Sequence, residues 1–361
     1  MKAVYAGSFD PITNGHLHVL VKAAKMFDHV YLMIADNPNK KTMFSLEERK
    51  KLAEEACKSS RELSFLDSYV EVVVCERGYV VNECVRLEAG FMIRGIRNVN
   101  DFQYETDIYF HNKSINPNVE TVYIMPDCNI SACSSSAVKA LANVSGWTNV
   151  VNKYVPPVVY SAFTKKYIER VHSSLVSILS TPTAKTLRLY GDFNSICDIY
   201  EKRAYHNLDH VAFCLDRAEE LKREFIMPRY IVQAALMLHD IDKNVKETEE
   251  KIKYDDSTCR DILRLIMATD HVRNNEELEM IDEKLVHDID LSVLALPDDL
   301  YDEYVKKVRR EYQCTDEEWK KGRSDFLKKM LNSGIFTTVF FDYRRARDNM
   351  RRELNSLGFT A

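Results

Sequence analysis

KAVYAGSFDPITNGHLHVL (residues 2–20) runs from a short apolar segment, through a turn marked by glycine and proline, into an amphipathic stretch. This strand–turn–helix opening predicts free backbone N–H groups at a helix start, where donors and dipole together suit an anionic phosphate. Gly7 lets backbone approach a ligand closely, and Asn14-Gly15 makes the tight entry to the helix. His16 falls in the first turn, where an imidazole can donate to a phosphoryl oxygen. The same residues also suit a plain turn and a capping histidine, so the local pattern leaves both readings open.

Outward from this stretch, apolar runs recur at HVYLMIA (29–35), YVEVVVC (69–75), FMIRG (91–95) and TVYIMP (121–126). Helical patterns lie between them at about 16–27, 45–58, 79–88 and 100–113. Regular alternation of strand and helix predicts βαβ units and a parallel sheet covered on both faces. Ser45 followed by Glu48 is a capping box that opens the second helix. Lys40-Lys41 follow the second strand, and Arg94 and Arg97 follow the fourth, at the strand ends where open α/β sheets bind ligands. CSSSAVKAL (133–141) places three serines before a helix, as a second phosphate site or as an N-cap with two spare hydroxyls.

From about residue 160 the strand signal vanishes and helical spacing takes over, so the second half is expected to be all-α. Prolines at YVPPVV (154–159) and STPT (180–183) mark the change, with a boundary expected between 165 and 185. The domains are set at 1–168 and 184–361, with 169–183 as linker. Five of the ten histidines fall between His206 and His287. YHNLDH (205–210) puts His206 and His210 on one helical face. LMLHDID (236–242) ends an apolar helix on His239-Asp240, and HDIDL (287–291) adds Asp288 and Asp290. Histidines with carboxylates make a mixed nitrogen and oxygen site suited to Mn, Fe, Zn, Ni or Mg.

Composition bounds the rest. The 361 residues are 45% hydrophobic and 29% charged, with a net charge of −5. Residues 1–170 hold 20 Lys+Arg against 19 Asp+Glu, and 171–361 hold 30 against 36. Neither half is basic enough for a nucleic-acid surface. No stretch approaches ~18 uncharged apolar residues, so no membrane span is expected. Asp10 interrupts any apolar signal-peptide core. Nine cysteines without a C-x-x-C pair read as reduced thiols, hence a cytoplasmic protein.

In order, GSFDPITNGH, NPNKKTMFSLEER, IRGIRNVNDFQYE and SSSAVK resemble the bacterial phosphopantetheine adenylyltransferases over about residues 1–165. The resemblance implies a Rossmann-like nucleotidyltransferase fold and transfer of the adenylyl group of ATP to 4′-phosphopantetheine, with Mg²⁺. It implies that Ser8, Lys40, Val80 and Arg94 bind the phosphopantetheine. It places ATP on Gly7, Ser8, Phe9, His16, Gly95, Ile96, Arg97, Glu105 and the segment Ile130, Ser131, Ala132, Cys133, Ser134, Ser135 and Ser136. His16, Lys40 and Arg94 become catalytic, and a homo-oligomer, hexameric in that family, is expected. Ser8 stands where the family usually has threonine, which keeps the hydroxyl.

From about residue 184 the chain is similar to the HD superfamily of metal-dependent phosphohydrolases, including YDEYVKKVRREY (301–312) and the later GR…IF…AR. That similarity implies His210, His239, Asp240 and Asp290 as metal ligands and His206 as general acid. His271 is an accessory candidate, and His287 and Asp288 are expected to face away from the metal. The expectation is therefore a bifunctional enzyme of coenzyme A biosynthesis, its second substrate an unidentified phosphorylated molecule. The alternative is a nucleotide-sensing, non-hydrolytic HD domain that regulates the transferase.

Overall fold

Five parallel strands form one sheet in the order β3-β2-β1-β4-β5: β1 (Lys2–Gly7), β2 (His29–Ala35), β3 (Tyr69–Cys75), β4 (Phe91–Gly95) and β5 (Glu120–Ile124). The computed structural model describes residues 1–36, 41–76, 78–127, 134–178, 193–242, 257–271 and 278–359. They divide into two compact units, 1–163 and 164–361.

In the first unit β1 is central. Val4 pairs with Tyr31 on one side and Met92 on the other, and Ala3 to Ala6 are buried. That burial from both faces is why β1 reads as a continuous apolar run rather than an alternating one. The helices between strands are α1 (Asn14–Ala24), α2 (Leu46–Ser59), α3 (Val80–Arg86) and α4 (Val99–Ile115). α1 and α2 both open on capping boxes, Thr13 with His16 and Ser45 with Glu48. Chain order reverses at β1, so its carboxyl end and that of β4 flank the point where open α/β sheets bind ligands. After β5 come α5 (Ser135–Leu141) and α6 (Thr148–Val151).

α7 (Pro157–Ile178) runs without a break past the division between the units. Positions 169–178, expected as linker, are its later turns; 179–192 lie outside the described residues.

The described remainder of the second unit is helical: α8 (Phe193–Tyr200), α9 (Leu208–Glu220), α10 (Arg229–Leu238), α11 (Ser257–Ala268), α12 (Ile281–Leu291), α13 (Asp298–Glu311), α14 (Asp316–Ser333) and α15 (Tyr343–Ser356). α10 is buried nearly all round, with Leu236, Met237 and Leu238 at zero exposure. A second apolar layer joins Leu294, Tyr301, Leu327, Met350 and Leu354. Inside it, Arg323 pairs with Glu353 through Nε–Oε1 at 2.8 Å and Nη2–Oε2 at 3.0 Å, a bidentate match that satisfies both buried charges.

Truncating Leu236 to alanine should destabilise the second unit by roughly 2–5 kcal/mol. Trp147 and Trp319, one per unit, are the chain's two tryptophans. Urea unfolding of Leu236→Ala in a Trp147→Phe background should therefore shift the Trp319 fluorescence transition to lower urea.

Candidate active sites

The β1–α1 loop is held open by a close approach. A Cβ on Gly7 would meet the Phe9 ring at 3.0 Å, and Phe9 itself has φ of 40°, in the left-handed region. The buried Phe9 ring stands edge-on to His16, 5.1 Å between centroids. His16 Nδ1 accepts the backbone N–H of Thr13 at 3.0 Å. A backbone amide can only donate, so the neutral ring carries its proton on Nε2.

Asp10, fully buried, ties this loop to two other segments. Its carboxylate accepts the N–H groups of Met43 (3.0 Å) and Phe44 (2.9 Å) and pairs with Lys139 Nζ at 2.5 Å. Burial favours the protonated form, but Lys139 and the two amides outweigh it and hold the carboxyl below its usual range. Arg49, also buried, reaches Ser8 O at 2.9 Å and Asp36 Oδ1 at 2.8 Å.

These contacts frame a cavity of about 240 Å³ at the carboxyl ends of β1 and β4. Gly7, Ser8, Phe9 and His16 line it, with Arg94, Gly95 and Arg97 from the end of β4, Glu105 from α4, and Ser134, Ser135 and Ser136. Ser134 caps α5 by accepting the Ala137 N–H, and Ser135 Oγ donates to Pro11 O at 2.8 Å. Two of the three serines thus carry structure. Val80 and Ile96 are placed elsewhere: Val80 packs against the core cluster of Val4, Ala6 and Met33, and the Ile96 N–H donates to Ile124 O. Lys40 and Ile130, Ser131, Ala132 and Cys133 lie outside the described residues.

Both arginines of the cavity are paired. Arg94 gives Nε and Nη2 to Glu105 at 2.6 and 2.5 Å, and Nη1 to Ala6 O. Burial weakens that charge, but Glu105 outweighs it and raises the guanidinium pKa. Arg97 binds Asp101 through Nε at 2.7 Å. Glu105, the one carboxylate among the described cavity residues, is taken up by Arg94.

In the second unit a different cluster converges. His239 closes the apolar α10, and its Nδ1–H donates to Leu236 O at 2.8 Å, which leaves the Nε2 lone pair facing inward. His210, near the start of α9, points Nε2 to within 3.3 Å of His239 Nε2 and 2.9 Å of Asp290 Oδ1. Asp240 Oδ2 lies 3.0 Å from His239 Nε2 and 3.4 Å from His210 Nε2, buried yet without a hydrogen-bond partner. Two facing imidazole nitrogens and an orphaned carboxylate oxygen fit a divalent cation, held by His210, His239, Asp240 and Asp290. Burial opposes charge on His239, but Asp240 and Asp290 outweigh it and raise its pKa well above the ordinary value. A bound cation would take the place of that proton, since ligating imidazole is neutral.

Sequence reasoning missed Cys214, one turn beyond His210, whose sulfur shares a 4.8 Å cluster with ligand atoms of His210, His239 and Asp290. The H-x-x-x-C spacing was its signal. Without a cation, burial holds the thiol well above its usual pKa; a cation in the cluster would lower it, so Cys214 is a further candidate ligand. His271 Nε2 meets Asp290 Oδ2 at 2.8 Å. His287 donates to Ala268 O, and Asp288 accepts the N–H and O–H groups of Thr337 and Thr338, so neither enters the cluster.

His206 precedes the Asn207 N-cap, so it does not share a helical face with His210 as the spacing suggested; its Nδ1 stands against Glu311 Oε1, and Glu311 also accepts the N–H groups of Tyr205 and His206. Sequence reading missed Glu311, 105 residues away on α13. Burial opposes charge on His206, but Glu311, then Asp240, outweigh it and lift the imidazole above its usual value. The same pairing lowers Glu311 to about 2.

Sheet order, loop glycines and a cavity of cations and backbone donors are those of a nucleotidyltransferase. The cytidylyltransferase-like family model matches residues 4–141. Phosphopantetheine adenylyltransferase of Chromobacterium violaceum is 35% identical over 169 residues, 47% of this chain and 99% of that protein. The enzyme of that name from Alkaliphilus oremlandii is 39% identical over 166 residues, 46% of this chain and 98% of that protein. The chain belongs, through its first ~170 residues, to the phosphopantetheine adenylyltransferase family. Among solved structures, Plasmodium falciparum nicotinic acid mononucleotide adenylyltransferase covers 46% of the chain at 16% identity, with a TM-score of 0.38. It covers 95% of that protein's own chain and adds nothing to the assignment.

Asp10→Asn should destabilise the first unit by roughly 1.5–3 kcal/mol, because Lys139 loses its charged partner. The wild-type pKa is depressed on folding, so this contribution is whole above about pH 4 and is lost as pH falls through the folded value. Urea unfolding of wild type and variant, followed at Trp147 in a Trp319→Phe background, should show a gap at pH 7 that narrows in acid.

Proposed function

We propose that the chain is a bifunctional enzyme whose first unit transfers the adenylyl group of ATP to 4′-phosphopantetheine, and whose second is a metal-dependent phosphohydrolase. The first reading rests on one observation above others: His16 Nε2–H belongs to a cavity framed by four separate motifs. In the reaction a phosphate oxygen of phosphopantetheine attacks the α-phosphorus of ATP and the bond to pyrophosphate breaks. The nucleophile is already anionic, so no general base is needed; alignment and charge neutralisation carry the rate. His16 Nε2–H donates to the α-phosphate, the N–H groups of the Gly7–Phe9 loop and the serine segment hold the nucleotide, and Lys40 and Arg94 hold the acceptor phosphate. Arg94 reaches it by exchanging Glu105 for that phosphate. Mg²⁺ accompanies the nucleotide. Exposed Phe102, Tyr104 and Phe110 on α4 support self-association of this unit.

The second reading rests on the convergence of His210, His239, Asp240 and Asp290. These residues would hold a divalent cation, which would supply Lewis-acid activation of water and of the phosphoryl group. His206, held protonated by Glu311, gives its proton to the leaving oxygen. Residues 1–168 carry the transferase and 184–361 the hydrolase, in a cytoplasmic protein.

A mass-spectrometric time course with ATP, 4′-phosphopantetheine, Mg²⁺ and Mn²⁺ tests both units together. His16→Ala should slow dephospho-coenzyme A formation by about 10²–10³-fold. His239→Ala should leave that rate unchanged, lose the bound metal by elemental analysis, and abolish consumption of any second substrate. Dephospho-coenzyme A made equally by wild type and His16→Ala would refute the role given to His16.

Glu311→Gln supplies a separate check on the second unit. A raised folded-state pKa keeps His206 charged to higher pH, and the contribution of this pair to stability is lost as pH rises through that value. Removing the carboxylate should move the alkaline limb of the hydrolase pH profile, and the His206 NMR titration, to lower pH. A limb that stays in place would show that His206 does not supply the proton.

A further inference from the structure

Beside the metal cluster lies a cavity of about 310 Å³, reached through Asp290, His206 and His271. That volume is at the small end of the ~300–1,000 Å³ range of ligand pockets. Its walls are mostly apolar and aromatic: Tyr304, Tyr312, Trp319 and Phe326 face it along with Leu294 and Val308.

The electrostatics of these walls are the informative part. Arg323 lines the cavity, but its guanidinium is spent on Glu353 and on the Tyr304 hydroxyl, 3.2 Å from Nη2. Its side chain is 6% exposed, and it packs against the rings of Phe326 (5.1 Å), Tyr304 (5.3 Å) and Trp319 (5.9 Å). His206 Nδ1 meets Glu311 Oε1, and His271 Nε2 lies 2.8 Å from Asp290 Oδ2. Glu318 adds a further negative charge to the lining. Among the described lining residues every cation already has an anionic partner.

We infer that this cavity selects a phosphomonoester of an uncharged, ring-bearing alcohol and turns away polyphosphates. The inference rests on the hydrolase reading and names its substrate class. A cation held by the His/Asp cluster would give one phosphate its point of attachment. A second or third phosphate would meet described lining charges that are either paired or negative, at the energetic cost of unpaired charge in a low dielectric. The rings offer stacking surface to a flat group, while a linear, amide-rich chain such as pantetheine would lose its hydrogen bonds to water for few in return. In the reaction, water adds to phosphorus and the P–O bond to the alcohol breaks. The leaving oxygen takes a proton, giving alcohol and inorganic phosphate.

The test compares kcat/KM of the full, Mn²⁺-loaded chain on p-nitrophenyl phosphate, glycerol 3-phosphate and inorganic pyrophosphate, with His239→Ala turnover subtracted. The ring monoester should lead both others by at least about tenfold, since one stacked ring is worth that much. Trp319→Ala should reduce the preference for p-nitrophenyl phosphate over glycerol 3-phosphate roughly tenfold. Gly322→Lys guards against misfolding: a Cβ there meets nothing within 4 Å, and lysine is the better helix former. It adds a cation to the lining one turn from Glu318, cancelling the negative charge there, and should raise pyrophosphate turnover relative to p-nitrophenyl phosphate. Pyrophosphate hydrolysed as fast as the ring ester, or a Gly322→Lys ratio equal to wild type, would overturn the inference. Should the metal-loaded chain hydrolyse none of the three, the hydrolase reading fails, and calorimetric titration with phenyl phosphate judges the cavity separately. Binding that Trp319→Ala loses sustains the ring-ester site, and no binding ends it.

Discussion

The first unit depends on one buried negative charge. Asp10 sits at zero exposure, where an unpaired carboxylate would cost several kcal/mol. It is tolerable only because the Met43 and Phe44 amides and the Lys139 ammonium converge on it. Those partners come from the stretch just after Lys40 and from the serine helix, so satisfying Asp10 brings three phosphate-facing segments together before any ligand arrives. Arg49 reinforces the same assembly from α2 by holding Ser8 O and Asp36. Preorganisation of this sort is what a reaction without a protein nucleophile or general base requires. The dipoles are aimed in advance, and the folding energy of the unit holds them there.

Asp290 plays the corresponding part in the second unit with the opposite sign of need. His210, His239 and His271 reach it from the start of α9, the end of α10 and the residues after α11. α10 is apolar all round until Leu238, and its polarity changes abruptly at His239-Asp240, where the core ends. A cluster of two facing imidazoles and two carboxylates has more donors than the protein satisfies internally, which Asp240 Oδ2 makes visible. Where Asp10 is neutralised from within, this cluster has the donor set that a cation from outside would complete.

Strands were the most legible feature, because β1, β2 and β4 are buried on both faces and read as apolar runs bounded by turns. β1 to β4 coincide with the runs read from sequence, and β5 begins one residue earlier. α12 was read only as a ligand motif, since burial on most sides leaves no polar stripe to give it a period. α14 was passed over although Thr315 and Glu318 form a capping box at its start. Glu311 and the Arg323–Glu353 pair were out of reach for another reason. A single charge on an amphipathic helix reads as solvated, and only the fold brings its partner from 30 or 105 residues away. Lys139 and Asp10 both stood inside quoted motifs, yet their pairing across 129 positions has no local signature.

Two ways of meeting a phosphate are thus built into one chain. The first unit keeps Arg94 and Arg97 on the carboxylates of Glu105 and Asp101, so its cations are already placed and an incoming phosphate exchanges one anion for another. The second unit locks its nearest arginine into a buried bidentate pair that a ligand cannot open without exposing Glu353. Among the described residues of that unit, the group fitted to a cation is the histidine–aspartate cluster, which lies beside aromatic walls. Covalent fusion therefore does not by itself imply a shared substrate: the described walls of one cavity carry arginines held on single carboxylates, and those of the other carry aromatic rings beside a buried ion pair.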